Sequence, residues 1–170
     1  AQEELKEVEA KLKVKNLIYF SSFQKRYNPI FSNVKKIIDN AILGQLVSIR
    51  YYFSHLGPYT SWRPLSKQKW FFDSRMAGGG VALDLAVHCI DILRYLLGEY
   101  KRVNGYSSNT ICKNIEEEDN CIILVRFENS CLGTITVSWC NEPMETIELF
   151  GTEGTLKIDI HAKQPVFHIS

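Results

Sequence analysis

The chain has 170 residues, of which 45% are hydrophobic and 23% are charged, and its formal net charge is +1. This composition is that of an ordinary globular domain with a substantial core, and it excludes a disordered chain. Lysines and arginines are scattered along the sequence, so no basic patch predicts nucleic acid as a partner. No apolar run reaches the roughly 20 residues that span a bilayer, and the acidic N-terminus is unlike a secretion signal. We therefore expect a cytoplasmic protein that binds neither nucleic acid nor membranes.

The N-terminal segment combines a helix with an apolar run. Leu5, Val8 and Leu12 recur at helical spacing and predict a short amphipathic helix over residues 1–13. The run at 17–20, of sequence LIYF, predicts a strand that is buried on both faces of a parallel sheet. Since a helix and one buried strand are half of an α/β repeat, we expect the chain to begin partway through a larger protein.

A second helix, a strand and a long helix are predicted next. Apolar residues at helical spacing after Pro29 predict a helix, and the alternation from 45 to 54 predicts a strand. Residues 55–77 have no clear period and are rich in aromatic side chains, which is typical of a binding loop. Another helix is predicted from Gly80 to Leu97, because an apolar run of that length ends at a glycine.

After this helix the period of the apolar residues changes to two. The alternation predicts four strands, at 121–127, 132–139, 146–150 and 155–160. Short turns join them, so we expect an antiparallel meander. The acidic run at 116–119 predicts a solvated loop before the first of these strands. Five cysteines, an odd number without a C-x-x-C pair, predict reduced and mostly buried thiols.

The long helix carries a polar stripe that is the strongest candidate for a site. Asp84, His88 and Asp91 share one helical face because they are spaced by four and three residues. A carboxylate beside an imidazole suits proton transfer near neutral pH. A solvated or structural polar face explains the same spacing, and a divalent metal completed by His55 or His161 is a third interpretation.

Other candidate ligand contacts surround this stripe. The glycines at 78–80 precede the helix, where free N–H groups suit an anion or close ligand approach, although no nucleotide fingerprint is present. Trp62 and Trp70 could stack on a sugar ring or fill the core of their own loop. Arg26 could meet an acidic group of a ligand or lie on the surface.

Three segments together resemble one protein family. The run from Gly78 through Asp84, His88 and Asp91 is similar to the G-G-G-x-x-x-D-x-x-x-H-x-x-D motif of the Gfo/Idh/MocA oxidoreductases, the glucose-fructose oxidoreductase and inositol dehydrogenase group. The segment at 23–29, of sequence FQKRYNP, resembles the stretch after the last strand of their nucleotide domain. The segment LFGTEG at 149–154 resembles their G-T-x-G turn.

This resemblance implies a fold and a domain organisation. The fold would be α+β, a mostly antiparallel sheet with helices packed on one face. Residues 1–20 would be the last helix and strand of a Rossmann domain, and residues 21–170 the domain that binds substrate and forms oligomers through its sheet. NAD or NADP would be bound upstream, in a domain absent from this chain. The E-K-P lysine of the family is also missing here, so this stretch alone is expected to lack full activity.

The resemblance also implies roles for individual residues. His88 would accept the hydroxyl proton of a sugar or polyol while hydride passes to the nicotinamide, and Asp84 would hold that hydroxyl. Further substrate contacts are expected from Asp91, Trp70, Arg26 and Gly79, and no metal is expected. The alternative is a non-catalytic module of the same fold that binds a ligand or forms oligomers.

Overall fold

A computed structural model describes residues 2–57, 73–111, 117–162 and 168–169 of the chain. The helices are α1 (Gln2–Val14), α2 (Pro29–Asp39), the short α3 (Ser74–Ala77) and α4 (Val87–Leu97), with a 3₁₀ turn at Gln24–Tyr27 and a π-helical turn at Ala82–Ala86 that leads into α4. The strands are β1 (Leu46–Ser54), β2 (Tyr100–Ser108), β3 (Asn120–Phe127), β4 (Leu132–Ser138), β5 (Met144–Gly151), β6 (Thr155–Asp159) and β7 (His168–Ile169).

All seven described strands form one sheet in the order β2-β3-β4-β1-β5-β6-β7. Every neighbouring pair is antiparallel except β1 and β4, which run parallel with Tyr51 opposite Ile135 and Ser54 opposite Ser138. The sequence prediction of an α+β fold with a mostly antiparallel sheet is confirmed. The predicted meander is interrupted, because β1 lies between β4 and β5. The parallel pair was not predicted, because β1 and β4 are far apart in the sequence.

The core lies between one face of the sheet and the helices. Phe31 and Val34 of α2 and Cys89, Ile92 and Leu96 of α4 are fully buried in one cluster. The strands contribute buried residues at alternate positions: Ile49, Tyr51, Val125, Phe127, Ile135, Val137, Ile147, Leu149, Leu156 and Ile158. Burial of large apolar side chains at about 1.5–3 kcal/mol each is the main force that holds α4 across the sheet. The helices therefore pack on one face, as the sequence predicted.

The helical stretch Arg75–Leu97 is long and apolar enough to cross a membrane by length and hydropathy alone. Its apolar residues are explained by the core, because Leu85, Ile92 and Leu93 are buried in the same cluster as the sheet residues. A core helix of a globular domain passes the same test of length and hydropathy.

The start of this stretch is fixed by the segment before β3. Both Gly80 N–H and Ala82 N–H donate to Glu118 Oε1, at 3.1 and 3.0 Å, and Val81 N–H donates to the backbone oxygen of Glu118 at 3.0 Å. The carboxylate of Glu118 thus satisfies N–H groups that a helix start leaves without partners.

Asp119 is fully buried and accepts from two backbone N–H groups of the preceding turn. The prediction of a solvated acidic loop was therefore wrong for residues 117–119.

Two further expectations differ from the structure. Residues 17–20 form no strand and are exposed, so the predicted buried strand is absent from the described chain. Strand β2 was not predicted, because it is an edge strand whose residues are nearly all exposed and show no alternation. Among the described cysteines, Cys89, Cys121 and Cys131 are buried free thiols, as expected.

We predict that Gly80→Ala destabilises the fold by at least about 2 kcal/mol, because a Cβ at this position would lie 2.1 Å from the backbone oxygen of Glu118. The matched control is Gly79→Ala, whose Cβ would meet only the flexible side chain of Leu83 and no backbone atom, and it should cost less than about 1 kcal/mol. Urea unfolding of both variants measures the difference. Equal stabilities would contradict the close packing described here.

Candidate active site

A cavity of about 290 Å³ opens beside the start of the long helix. Gly79, Asp84 and His88 line it together with the apolar side chains of Leu83 and Val87. The helical spacing therefore does bring the predicted carboxylate and imidazole to one cavity, and two of the glycines, Gly79 and Gly80, line it as well. A larger depression of about 550 Å³ lies on the sheet at Leu124, Leu132 and Phe150, and it contains none of these groups.

The carboxylate of Asp84 is held from the edge of the sheet. Trp139 donates its indole N–H to Asp84 Oδ2 at 2.9 Å, and His55 Nε2 lies 3.5 Å from the same oxygen. His55 follows β1 and Trp139 follows β4, and parallel pairing of these strands brings the two residues to the same edge. From the sequence, His55 was considered only as a metal ligand and Trp139 was given no role. The periodicity does not show that β1 and β4 pair in parallel, and so it does not show that these two residues lie at the same edge.

His88 is a half-buried imidazole between charges of both signs. Its Nδ1 atom is buried and makes no hydrogen bond within the described residues. Burial lowers the pKa of His88 first, and the positive charge of Lys25 lowers it further, while the carboxylates of Asp84, Glu145 and Asp91 act in the opposite direction. Since the net shift is downward, the imidazole is neutral at neutral pH, which is the form that accepts a proton.

Lys25 is held near the histidine by a buried carboxylate. Its ammonium donates to Glu145 Oε1 and lies 3.8 Å from the centroid of the Phe53 ring. Tyr51 donates its hydroxyl to the same Glu145 oxygen, and burial raises the pKa of this tyrosine well above its ordinary value. Phe53 and Glu145 face each other in the pairing of β1 with β5, so the sheet register fixes this ion pair. Neither Lys25 nor Glu145 was predicted from the sequence as a site residue.

Arg26 and Asp91 bind each other. Arg26 Nε donates to Oδ2 of Asp91 at 2.8 Å and a terminal nitrogen donates to Oδ1 at 2.5 Å, so both carboxylate oxygens are occupied. Asp91 is nearly buried, whereas Arg26 is partly exposed. The pair therefore attaches the 3₁₀ turn to α4. A substrate contact by either residue stays a prediction, and so does one by Trp70, which lies outside the described residues.

The metal interpretation finds no supporting cluster in the described part of the chain, where no three His, Cys, Asp or Glu side chains are placed to hold an ion. His55 lies beside Asp84 as that interpretation requires. His161, however, lies 4.0 Å from Glu145 Oε2, so the two histidines serve different carboxylates.

Comparison with known proteins defines the class to which this fold and cavity belong. The model of the GFO/IDH/MocA C-terminal domain matches residues 31–157, and the chain therefore belongs to this family. It is 28% identical to levoglucosan dehydrogenase of Pseudarthrobacter phenanthrenivorans over 91% of this chain and 45% of that protein. It is 26% identical to scyllo-inositol 2-dehydrogenase (NAD(+)) of Bacillus subtilis, over 99% of this chain and 48% of that protein.

A solved structure agrees with the fold. Levoglucosan dehydrogenase in complex with NADH and L-sorbose is 25% identical and superimposes with a TM-score of 0.73, over 91% of this chain and 47% of that chain. The resemblance to the Gfo/Idh/MocA oxidoreductases inferred from the sequence motifs is thus confirmed. The chain spans about half the length of the curated relatives that it matches.

We predict that Lys25→Met raises the pKa of His88, because it removes a positive charge that disfavours the imidazolium and leaves the opposing carboxylates in place. The measurement is an NMR titration of the His88 ring. Lys35→Met is the control, since Lys35 pairs with Asp39 on the surface of α2 and should leave the midpoint unchanged. The double variant Lys25→Met/Glu145→Gln avoids an unpaired buried carboxylate and should shift the midpoint in the same direction by less. An unchanged or lower midpoint would contradict this electrostatic account.

We predict that Arg26→Met destabilises the domain by about 2–3 kcal/mol, because it leaves the nearly buried carboxylate of Asp91 without its partner. Asp91→Asn should cost less, since the remaining guanidinium is partly exposed. The double variant should lose less than the sum of the two single losses, as expected for residues in contact. Denaturant unfolding provides all four stabilities, and additive losses would count against a structural ion pair.

Proposed function

We propose that this chain is the substrate domain of an NAD- or NADP-dependent oxidoreductase that oxidises a secondary alcohol of a sugar or polyol. The observation that carries the proposal is the cavity in which a neutral His88 lies beside the carboxylate of Asp84. Membership of the GFO/IDH/MocA family supports it, as do relatives named for the dehydrogenation of levoglucosan and of scyllo-inositol.

The reaction divides into a proton transfer and a hydride transfer. His88 takes the proton of the reacting hydroxyl, and the resulting imidazolium is stabilised by the nearby carboxylates. Asp84 accepts a hydrogen bond from a neighbouring hydroxyl of the substrate and so orients the reacting hydroxyl toward the imidazole. The oxygen then forms a carbonyl as the hydride leaves its carbon. A nicotinamide held by the nucleotide-binding domain would supply the hydride acceptor.

The nicotinamide nucleotide requires a second domain. The sequence contains neither G-x-G-x-x-G nor G-x-x-x-x-G-K, so this chain has no fingerprint for holding the phosphates. The N–H groups of Gly80 and Ala82 cannot serve instead, because Glu118 occupies them. This chain contributes the polar residues of the cavity, His88 and Asp84. We expect them to bind a substrate that also contacts a nicotinamide ring.

Residues 1–20 are the part that we assign to that nucleotide-binding domain. Ile18 is 98% exposed, and Leu17, Tyr19 and Phe20 are exposed beside it. An apolar run of this kind is unfavourable in water and is typical of a surface that packs against another element. Leu5 and Val8 of α1 are apolar and exposed as well. We infer that these residues pack against the sheet and helices of a Rossmann domain.

The sheet face opposite the helices is the surface that we assign to a homo-oligomer. Ile122, Leu124 and Leu132 are about half exposed on this face, and Leu124 and Leu132 line the shallow depression together with Phe150. Closed symmetric oligomers bury such self-complementary apolar faces. A second copy of the chain is therefore the partner that we propose for it.

We predict that Asp84→Asn and His88→Asn each reduce turnover of a polyol by at least about a hundredfold in the protein that carries the nucleotide-binding domain. Levoglucosan, myo-inositol and scyllo-inositol with NAD⁺ or NADP⁺ are the substrates to assay. Asp39→Asn is the control, because Asp39 is an exposed aspartate of α2 and should leave turnover unchanged. Dinucleotide affinity should be the same in all variants, since neither site residue is assigned to the nucleotide.

Two results separate this proposal from the non-catalytic alternative. Full turnover by a folded His88→Asn variant would remove the histidine as the base. Saturable polyol binding without any turnover would instead favour a ligand-binding module. The coding DNA upstream of the first residue and the intact mass of the native product test the domain assignment, because an in-frame G-x-G-x-x-G and E-K-P are expected there.

A further inference from the structure

The turn after β1 fixes the orientation of His55. Gly57 N–H donates to His55 Nδ1 at 2.8 Å, so this ring nitrogen is the acceptor and the proton of the neutral ring lies on Nε2. Nε2 in turn lies 3.5 Å from Asp84 Oδ2. The backbone of His55 is anchored as well, because its N–H donates to the oxygen of Ser138 at 3.1 Å. The ring nitrogen that carries the N–H of His55 is therefore the one that lies beside the carboxylate.

Trp139 completes this arrangement. A Cβ at Gly57 would lie 2.7 Å from the indole ring, and Gly57 has a φ of +40°, so the turn packs directly on the tryptophan in a conformation that suits glycine. The indole is fully buried and donates to Asp84 Oδ2, the same oxygen that His55 faces. No hydrogen bond from the described residues reaches the other oxygen, Oδ1.

We propose that His55, Gly57 and Trp139 form a positioning cluster that fixes Oδ2 of Asp84 and so leaves Oδ1 to face the substrate hydroxyl and His88. The cluster joins the ends of two parallel strands to the π-helical turn that carries Asp84. None of its three residues is a reacting group. Their role in catalysis rests on the proposed function, whereas their effect on Asp84 does not.

The charges around the site determine what a free Asp84 would do. The charges that act on His88 are Asp84 and Asp91 on the same helical stretch, Lys25 on the 3₁₀ turn and Glu145 on β5. Asp91 is already paired with Arg26. If the N–H groups of the cluster are removed, the Asp84 carboxylate loses two dipoles that partly neutralise it and becomes free to approach the imidazole. Both effects favour the imidazolium, so the pKa of His88 should rise.

The test compares three variants in an NMR titration of the His88 ring of this chain. Trp139→Phe keeps a buried ring and removes the indole N–H. His55→Asn keeps an acceptor for Gly57 N–H but has no donor that reaches Asp84. His55→Gln places an amide N–H near the position of Nε2 and keeps that donor. We expect midpoints about 0.5 unit higher in Trp139→Phe and His55→Asn, and a smaller shift in His55→Gln.

Unchanged His88 midpoints in folded Trp139→Phe and His55→Asn would overturn the proposal, and so would equal shifts in His55→Asn and His55→Gln. Thermal unfolding checks that each variant is folded, and the two histidine variants carry the test if Trp139→Phe does not fold. The titration needs no dehydrogenase activity. If the midpoints shift in the expected order but the protein oxidises no polyol, the proposed function is wrong and the positioning cluster stands. If the enzyme is active but the midpoints are unchanged, the positioning cluster is wrong and the proposed function stands.

Discussion

The parallel pairing of β1 with β4 is the constraint on which the site depends. Among the strands that the structure describes, β1 and β4 are the one neighbouring pair that runs in the same direction, so their ends meet at one edge. His55 and Trp139 leave the sheet there, and both face the carboxylate of Asp84. The carboxyl ends of parallel strands are where α/β proteins commonly place their ligands, and the same geometry applies here on a smaller scale.

Asp84 reaches this edge of the sheet only if the helical stretch that carries it begins at the right residue. Glu118 fixes that start, because its carboxylate and backbone oxygen accept from three consecutive N–H groups, those of residues 80–82. Asp84 follows within one turn and His88 one turn later, which places both at the cavity. The glycines of the motif are thus explained in part by packing, since Gly80 has no room for a side chain. An anion site at this helix start is excluded by the carboxylate that already occupies it.

The electrostatics of the cavity keep a histidine neutral among carboxylates. Burial and the charge of Lys25 outweigh Asp84, Glu145 and Asp91 in their effect on the pKa of His88. Lys25 can lie in this partly apolar environment because Glu145 pairs with it and Phe53 presents a ring face to it. The ion pair of Lys25 and Glu145 therefore influences the pKa of His88, although neither residue was predicted as part of the site.

Sequence periodicity was sufficient for the helix that carries Asp84 and His88 and for five of the strands, β1 and β3 to β6, because amphipathic patterns arise from local burial. It failed for β2, an edge strand with little burial, and for residues 17–20, whose apolar side chains have no partner in the described chain. It also failed for Glu118 and Asp119, since a charged run resembles a solvated loop until its backbone partners are known. Trp139 and His55 reach the site through strand pairing across more than 80 residues, and Lys25 is held there by Glu145, 120 residues away, so no local pattern records either arrangement.

The most direct test of the central claim is a crystal structure of the native protein with NADH and a bound polyol. We predict that the oxygen of the reacting hydroxyl lies at hydrogen-bond distance, about 2.6–3.2 Å, from the His88 imidazole, and that a neighbouring hydroxyl of the same polyol lies at that distance from the Asp84 carboxylate. We also predict that Trp139 still donates to Asp84 Oδ2 in that complex. A polyol ordered against the dinucleotide but out of contact with His88 would contradict the account.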